Sequence, residues 1–179
     1  MSDADHTALP PSPWVVRFVS LIPAGASVLD LACGRGRHVR LLLGRGHTVV
    51  ALDRDAEALA ALPASAALET ITADLENGAA WPLAERRFAA IIVTNYLHRP
   101  LFPMLLDALE PSGLLIYETF ALGNERFGRP SNPDFLLKPG ELLEAVRGVC
   151  EVIAYEHLEV AEPRPAVVQR ICARRIKDS

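Results

Sequence analysis

Short apolar runs alternate along this chain with segments whose apolar residues recur every three or four positions. The apolar runs of strand length are 27–31, 48–52, 69–73, 88–94 and 114–120. The segments with helical spacing begin near positions 12, 37, 55, 101 and 142. The first of these starts with Ser12-Pro13, a helix cap followed by proline at the first helical position. The alternation predicts βαβ units and a parallel sheet that is buried on both faces.

Two further β-rich runs, 151–160 and 166–175, close the chain without a helix between them. The turn Pro163-Arg164-Pro165 joins them, so we expect an antiparallel hairpin at one edge of the sheet. The predicted fold is therefore α/β and Rossmann-like: a doubly wound, mostly parallel, seven-stranded sheet with an antiparallel C-terminal hairpin. The chain has no internal repeat or linker, which predicts a single domain over 12–179. We expect residues 1–11 to form a flexible tail.

Composition narrows the class of protein. The chain has 179 residues, of which 50% are hydrophobic and 22% charged, with a net charge of -4. This balance is typical of a globular protein and argues against a nucleic-acid partner. Three widely separated cysteines without CxxC spacing predict reduced thiols and no zinc site. The acidic, proline-rich start is unlike a secretory signal, and no apolar stretch is long enough for a bilayer, so we expect a soluble, cytoplasmic protein.

A glycine-containing loop, Ala32-Cys33-Gly34-Arg35-Gly36, follows the first predicted strand and leads into a helix. Glycine has no Cβ, so a ligand can approach the backbone closely, and the free amides at the helix start attract anionic groups. Two features argue against a dinucleotide. Val39 stands where the third glycine of that fingerprint is needed. Asp30, just before the loop, would repel a pyrophosphate but attract a ligand that carries an ammonium and a sulfonium.

Three aspartates end consecutive predicted strands: Asp30, Asp53 and Asp74. Open α/β sheets bind ligands at this end of their strands. The Asp53 carboxylate can accept both ribose hydroxyls of an adenosine, and Asp74 can accept from an adenine amino group beside the amide of Leu75. Two alternatives stay open, because Asp30 could merely order the loop and Asp53 could cap the next helix. Asp55 competes for that capping position.

The segments VLDLACGRGRH, VVALD and ITADL, with TNYLH after the fourth strand, resemble those of class I S-adenosylmethionine-dependent methyltransferases. The resemblance extends from about Val28 to the final hairpin, and the small size is most similar to the TehB-type subgroup associated with tellurite resistance. It implies S-adenosyl-L-methionine as cofactor. The cofactor-binding residues that it implies are Asp30, Ala32, Gly34, Gly36, Asp53, Arg54, Asp74, Leu75 and Asn95. Many members carry glycine at position 32, so alanine leaves slightly less room there.

The predicted acceptor site lies where the fourth and fifth strands end, since these ends flank the methyl group. The candidate catalytic residues there are Tyr96, His98 and Glu118, with Thr119 and Phe120 as further candidates for contact with the acceptor. The segment 121–139 is too long for a simple turn, which is typical of a functional lid. The arginines expected near this edge of the sheet are Arg99, Arg126 and Arg129, as substrate-binding residues, together with Arg35 and Arg37. They predict a cationic mouth and a small, anionic acceptor.

Several alternatives remain at this point. His98 could start the next helix, Tyr96 could form a cavity wall, and the arginines could pair with surface acids. Methyl transfer can proceed by alignment and water exclusion alone, so a general base is not required. A nicotinamide-dependent oxidoreductase is disfavoured by Val39 and Asp30. An inactive, cofactor-binding regulatory protein is the other alternative. The expected partner is a small-molecule acceptor.

Overall fold

Seven strands form one sheet in the computed structural model, which describes residues 9–177. In chain order they are β1 (Ser27–Leu31), β2 (Thr48–Asp53), β3 (Leu68–Thr72), β4 (Phe88–Thr94), β5 (Leu109–Phe120), β6 (Cys150–Val160) and β7 (Ala166–Arg175). Their order across the sheet is β3-β2-β1-β4-β5-β7-β6. Strands β1 to β5 are parallel, and β7 runs antiparallel to both β5 and β6. The predicted fold class is therefore confirmed.

One short helix precedes β1 and four others lie between strands, and together they pack on both faces of the sheet. They are α1 (Pro13–Phe18), α2 (Arg37–Gly44), α3 (Ala56–Ala60), α4 (Phe102–Asp107) and α5 (Glu141–Val146). Helix α1 begins as predicted, because the Ser12 side chain accepts a hydrogen bond from the amide of Trp14, which satisfies one of the free amides of the first turn. No helix within residues 9–177 has the length and hydrophobicity to cross a bilayer.

Two hydrophobic clusters, one on each face, hold the helices to the sheet. One contains Trp14 and Phe18 of α1 and Leu42 of α2, together with Val28 of β1. The other contains Leu29 of β1 with the buried residues of α4 and α5. Neighbouring residues of β1 thus enter opposite clusters, as the alternation of side chains along a strand requires. Burial on both faces explains the continuous apolar runs in the sequence.

The connection between α4 and β5 differs from the prediction. The helix expected over 101–109 ends at Asp107, and β5, expected from 114, begins at Leu109. Leu109 pairs with Phe88 of β4, and Arg175 donates to the carbonyls of Leu106 and Leu109. A guanidinium at a helix end satisfies carbonyls that have lost their partners. Arg175 of the distant β7 therefore fixes the end of α4, which the local spacing of apolar residues could not predict.

The strand order places a crevice beside β1. The chain moves outward from β1 to β2 and β3, and then returns to the other side of β1 with β4 and β5. Connections that leave in opposite directions open a crevice at the carboxyl ends of the central strands, where α/β sheets bind ligands. Of the predicted tail over 1–11, residues 1–8 lie outside the described residues. The carbonyl of Pro10 accepts a hydrogen bond from Arg37 near this crevice.

Candidate cofactor and acceptor site

A cavity of about 420 Å³ opens at the carboxyl ends of the parallel strands. The residues that line it are Ala32, Leu52, Asp53, Arg54, Ala73, Asp74, Leu75, Glu76, Asn95, Tyr96, Leu97, Thr119, Phe120, Pro130 and Phe135. Six of the nine residues predicted to hold a cofactor are among them: Ala32, Asp53, Arg54, Asp74, Leu75 and Asn95. The structure thus brings the ends of five strands and the segment after β5 to one cavity.

The Asp53 carboxylate organises the glycine-containing loop. One oxygen accepts the amide of Gly34 at 2.7 Å, and the other accepts the amide of Asp55 at 2.9 Å. Asp55 itself caps α3 by accepting from the amides of Glu57 and Ala58. The alternative in which Asp53 caps this helix is therefore wrong. Asp53 joins the loop after β1 to the end of β2.

Gly36 packs closely against the side chain of Leu62. Its φ is +73°, and an added Cβ would collide with Cδ2 of Leu62. The left-handed conformation costs an L-residue about 1–2 kcal/mol. Ala32 and Asn95, which both line the cavity, have positive φ values of 53° and 56°. Strained backbone of this kind often accompanies a binding site.

Asp30 is a buried carboxylate behind the loop. Asp30 is 1% exposed, and its Oδ2 atom has no hydrogen-bond partner among residues 9–177. Burial raises the pKa of Asp30 to about 7, although the Arg37 charge and the Val39 amide act in the opposite direction. A buried carboxylate oxygen without a partner is costly, so this position favours a cationic ligand group. Asp30, Gly34 and Gly36 are not lining residues of the cavity.

The predicted cationic mouth is not assembled in the structure. Arg99 binds Glu141 through Nε at 2.6 Å and Nη2 at 3.0 Å, and Arg126 pairs with Glu159. Arg37 is partly buried and donates to Thr94 Oγ1 at 3.3 Å. These three guanidiniums serve contacts within the protein. Arg99 and Arg126 thus pair with acids from distant parts of the chain, as the alternative interpretation expected, and the cationic mouth stays a prediction.

The other two arginines of that prediction, Arg35 and Arg129, are exposed. Neither has an acidic partner in the part of the chain that the structure describes. Arg129 directly precedes Pro130, which lines the cavity. None of the five arginines is itself a lining residue. Arg54 is the arginine that does line the cavity.

The three candidate catalytic residues occupy different surroundings. Tyr96 lines the cavity, and burial together with the nearby Glu76 raises the pKa of its hydroxyl, which keeps it protonated. His98 lines a neighbouring cavity of about 730 Å³ that shares residues 73–76 with the first. The carbonyl of His98 also accepts the amide of Leu101 at 3.0 Å and so begins a 3₁₀ turn.

Glu118 lies on β5, and both of its carboxylate oxygens are occupied. Oε1 accepts the Ser12 hydroxyl at 2.7 Å, and Oε2 accepts Arg170 Nη1 at 3.2 Å. The side chain is 13% exposed. Glu118 thereby ties the segment before α1 to β7. Glu118 is not a lining residue, whereas its neighbours Thr119 and Phe120 are.

The segment 121–139 is held in place by buried polar side chains. Asn124 donates to the carbonyl of Pro130 at 2.9 Å and accepts the amide of Val167 at 3.2 Å. Gln169 accepts the amide of Leu142 and donates to the carbonyl of Lys138, at 3.0 and 2.8 Å. The segment reaches the cavity with Pro130 and Phe135. It is an ordered wall of the site.

Sequence reasoning did not single out four of the lining residues beyond the strands: Glu76, Leu97, Pro130 and Phe135. Glu76 and Leu97 each follow a residue that was predicted, so extending the strand-end rule by one position would have found them. Pro130 and Phe135 carry no comparable signal. Their place depends on how the whole segment folds back.

Cys33 lies in the same loop as Gly34 and is buried. Burial and the charges of Asp30 and Asp53 raise the pKa of its thiol well above the ordinary value. It is therefore a protonated thiol beside Ala32, which lines the cavity.

Residues 28–113 match the family described as "Methyltransferase domain". No curated protein matches the chain. Solved structures resemble it in fold. TehB from Haemophilus influenzae is 19% identical, with a TM-score of 0.71 over 90% of this chain and 61% of its own. An S-adenosylmethionine-dependent methyltransferase from Methanosarcina mazei is 15% identical, with a TM-score of 0.69 over 95% of this chain and 100% of its own.

A third similar structure was solved with ligands. It is 1,6-didemethyltoxoflavin-N1-methyltransferase from Burkholderia thailandensis, with 1,6-didemethyltoxoflavin and S-adenosylhomocysteine bound. It is 19% identical, with a TM-score of 0.67 over 93% of this chain and 78% of its own. The present chain thus spans 61% of the length of TehB but most of the length of the other two structures.

Proposed function

We propose that the chain is a class I S-adenosylmethionine-dependent methyltransferase and that its cavity holds both the cofactor and the acceptor. The match of residues 28–113 to the family described as "Methyltransferase domain" and the fold shared with solved methyltransferases support this proposal. The cofactor lies beside β1, β2 and β3, and a small acceptor lies toward β5 and the segment 121–139. The observation that carries this proposal is the placement of acids. Asp53 and Asp74 line the cavity, and Asp30 is buried behind the loop with an unpartnered oxygen among residues 9–177.

The chemistry of these donors fits the cofactor. S-adenosylmethionine carries an ammonium, a sulfonium, two ribose hydroxyls and an adenine amino group, all of which a carboxylate can attract or accept. We assign the ammonium to Asp30, the ribose to Asp53 and the adenine to Asp74 and the amide of Leu75. Gly34 and Gly36 keep the loop backbone free of side chains beside the methionine part. Ala32, Arg54 and Asn95 complete the walls.

When bound, S-adenosylmethionine supplies a methyl carbon that takes the lone pair of the acceptor while the C–S bonding pair stays on sulfur, leaving S-adenosylhomocysteine. The residues of the chain hold both reactants in line and exclude water. The acceptor's proton passes to solvent, since the Tyr96 hydroxyl stays protonated through its raised pKa and Glu118 is already paired. His98 stays a candidate base only for an acceptor that extends into the neighbouring cavity.

The acceptor is proposed to be a small molecule, because the cavity is bounded by the segment 121–139 and measures about 420 Å³. An anionic acceptor stays a prediction. Its support is Arg129, which is exposed next to the lining residue Pro130 and has no acidic partner among residues 9–177. Arg99 and Arg126 do not support it, because Glu141 and Glu159 neutralise them.

We also propose a cytoplasmic protein with one domain over 12–179 that does not bind nucleic acid. Three buried, unpaired cysteines suit a reducing compartment. The hairpin β6–β7 joins the sheet begun by β1, so the N- and C-terminal parts share one core.

Calorimetry tests the proposed function directly. The purified chain is titrated with S-adenosylmethionine, S-adenosylhomocysteine and NADH. We expect the first two to bind and NADH not to bind. Small anionic, thiol and amine compounds are then screened by the release of S-adenosylhomocysteine. Failure of both adenosyl compounds to bind the folded protein would refute the proposal, and NADH binding alone would favour an oxidoreductase.

A further inference from the structure

Among residues 9–177, charged side chains line only one half of the cavity. The charged lining residues are Asp53, Arg54, Asp74 and Glu76, all of which follow β2 or β3 or end β2. The half formed by β5 and the segment 121–139 is lined by Thr119, Phe120, Pro130 and Phe135. We call these four residues the aromatic wall. In the proposed function, the charged half faces the cofactor and the aromatic wall faces the acceptor.

Phe135 presents an exposed ring on a fixed backbone. The residue is 48% exposed and lines the cavity, so part of its ring is accessible to a ligand. Arg99 donates to the carbonyls on either side of it, Asp134 at 2.7 Å and Leu136 at 2.9 Å. The Asn132 side chain accepts the amide of Asp134 at 3.0 Å. The backbone that carries the ring is therefore held in position, while about half of the residue stays open to a ligand.

Phe120 is fixed relative to the same segment. Its carbonyl accepts the amide of Leu137 at 3.0 Å, and the amide of Leu122 donates to the carbonyl of Leu137 at 3.0 Å. The Arg164 guanidinium lies 5.7 Å from the centre of the Phe120 ring. Backbone bonds thus set Phe120 and Phe135 on one rigid frame. Rings that are already ordered bind a ligand without a further loss of freedom.

We propose that the acceptor carries its nucleophilic atom on a planar aromatic ring, and that Phe120 and Phe135 hold this ring beside the cofactor. The inference rests on the proposed methyl transfer and names its substrate class. Aromatic pairs attract each other beyond the effect of the area that they bury. The Thr119 hydroxyl is the polar group of the aromatic wall, so it can meet the nucleophilic nitrogen, oxygen or sulfur.

The test compares phenol with cyclohexanol, which share size, hydroxyl group and neutral charge but differ in aromaticity. Both are titrated by NMR into the protein saturated with S-adenosylhomocysteine. We expect phenol to bind about fivefold more tightly than cyclohexanol. We expect Phe135→Leu to remove this preference. The matched control is Phe127→Leu, which changes another exposed ring of the same segment that does not line the cavity.

The S-adenosylhomocysteine affinity is measured for every variant and separates the two proposals. Unchanged affinity with a lost phenol preference in Phe135→Leu alone supports the aromatic acceptor. No phenol binding, equal binding of the two alcohols, or an equal effect of Phe127→Leu would overturn it while the cofactor proposal stands. If S-adenosylhomocysteine does not bind the wild-type chain, the proposed function fails and the aromatic acceptor fails with it.

Discussion

The two halves of the cavity are built by different means. In the half beside β1 to β3, each polar residue comes from the end of a strand, and Asp53 secures the loop through a contact with Gly34 only 19 positions away. In the half beside β5, the wall comes from a long segment that Arg99, Asn124 and Gln169 secure over greater separations in sequence. The first half is fixed by strand topology and a contact between residues close in sequence, and the second by side-chain contacts between residues far apart in sequence. Changes of acceptor can therefore arise without disturbing the cofactor site.

The largest effect that we expect is on cofactor affinity, and it follows from substitution of Asp30. Asp30→Ala removes a buried carboxylate proposed to meet the cofactor's ammonium, so the S-adenosylhomocysteine affinity should fall about 100-fold. Asp55→Ala is the control, because it removes an equal charge from the α3 cap and should leave this affinity unchanged. Calorimetry on both variants checks the prediction. Equal affinities in Asp30→Ala and the wild type would show that Asp30 only orders the loop.

The second prediction concerns pH and the same carboxyl group. Its folded-state pKa is raised to about 7, so its contribution to stability is present at low pH and is lost as the pH rises toward 7. Between pH 5 and 8 the ligand-free protein should lose on the order of 2 kcal/mol from this group. Asp30→Asn should flatten this slope in urea unfolding. Parallel slopes for the variant and the wild type would contradict the prediction.

The third prediction compares two arginines of the other half. Arg99→Ala frees the carbonyls beside Phe135 and the Glu141 carboxylate, so unfolding free energy should fall by about 1.5 kcal/mol. Arg126→Ala breaks an exposed ion pair, whose side chains are each 58% exposed, and should cost under about 0.5 kcal/mol. Hydrogen exchange should quicken over 130–137 only in Arg99→Ala. S-adenosylhomocysteine affinity should change in neither variant, and a loss in Arg99→Ala would show that the halves are coupled.

The smallest expected effect separates backbone strain at a glycine from crowding by a neighbouring side chain. Gly25 and Gly36 have φ values of +71° and +73°, but an added Cβ meets no atom within 4 Å at Gly25 and meets Leu62 at Gly36. Gly25→Ala should cost about 1 kcal/mol from the backbone alone. Gly36→Ala should exceed this by about 0.5 kcal/mol, since the end of Leu62 can turn away. Equal losses in urea unfolding would mean that Leu62 yields without cost.

The two halves of the cavity also differ in how much of their structure the sequence predicted. Apolar runs and glycines located the strands and the loop, because both signals are local to the elements that they describe. Asp53 and Asp74 were found because strand ends meet at one edge whatever the rest of the chain does. These residues line the cavity as expected, while their roles stay proposals.

The acceptor half could not be predicted in the same way. Arg99 pairs with Glu141, 42 residues away in sequence, and Arg126 pairs with Glu159, 33 residues away. A sequence shows five arginines near one edge but not the acids that fold back onto them. Phe135 was likewise hidden in a loop whose course depends on Gln169 in β7. Contacts between residues far apart in sequence therefore determine the structure of the acceptor half, which the local sequence pattern could not predict.

The protonation state of the buried Cys33 thiol affects whether the proposed methyl donor can alkylate the protein itself. A sulfonium donor is an alkylating agent, and a thiolate is among the strongest nucleophiles a protein contains. Cys33 adjoins Ala32 in the wall of the cavity, yet burial and two neighbouring carboxylates raise its pKa and keep it uncharged. Under the proposed function, the acids that attract the donor also keep this neighbouring thiol in its protonated, less nucleophilic form.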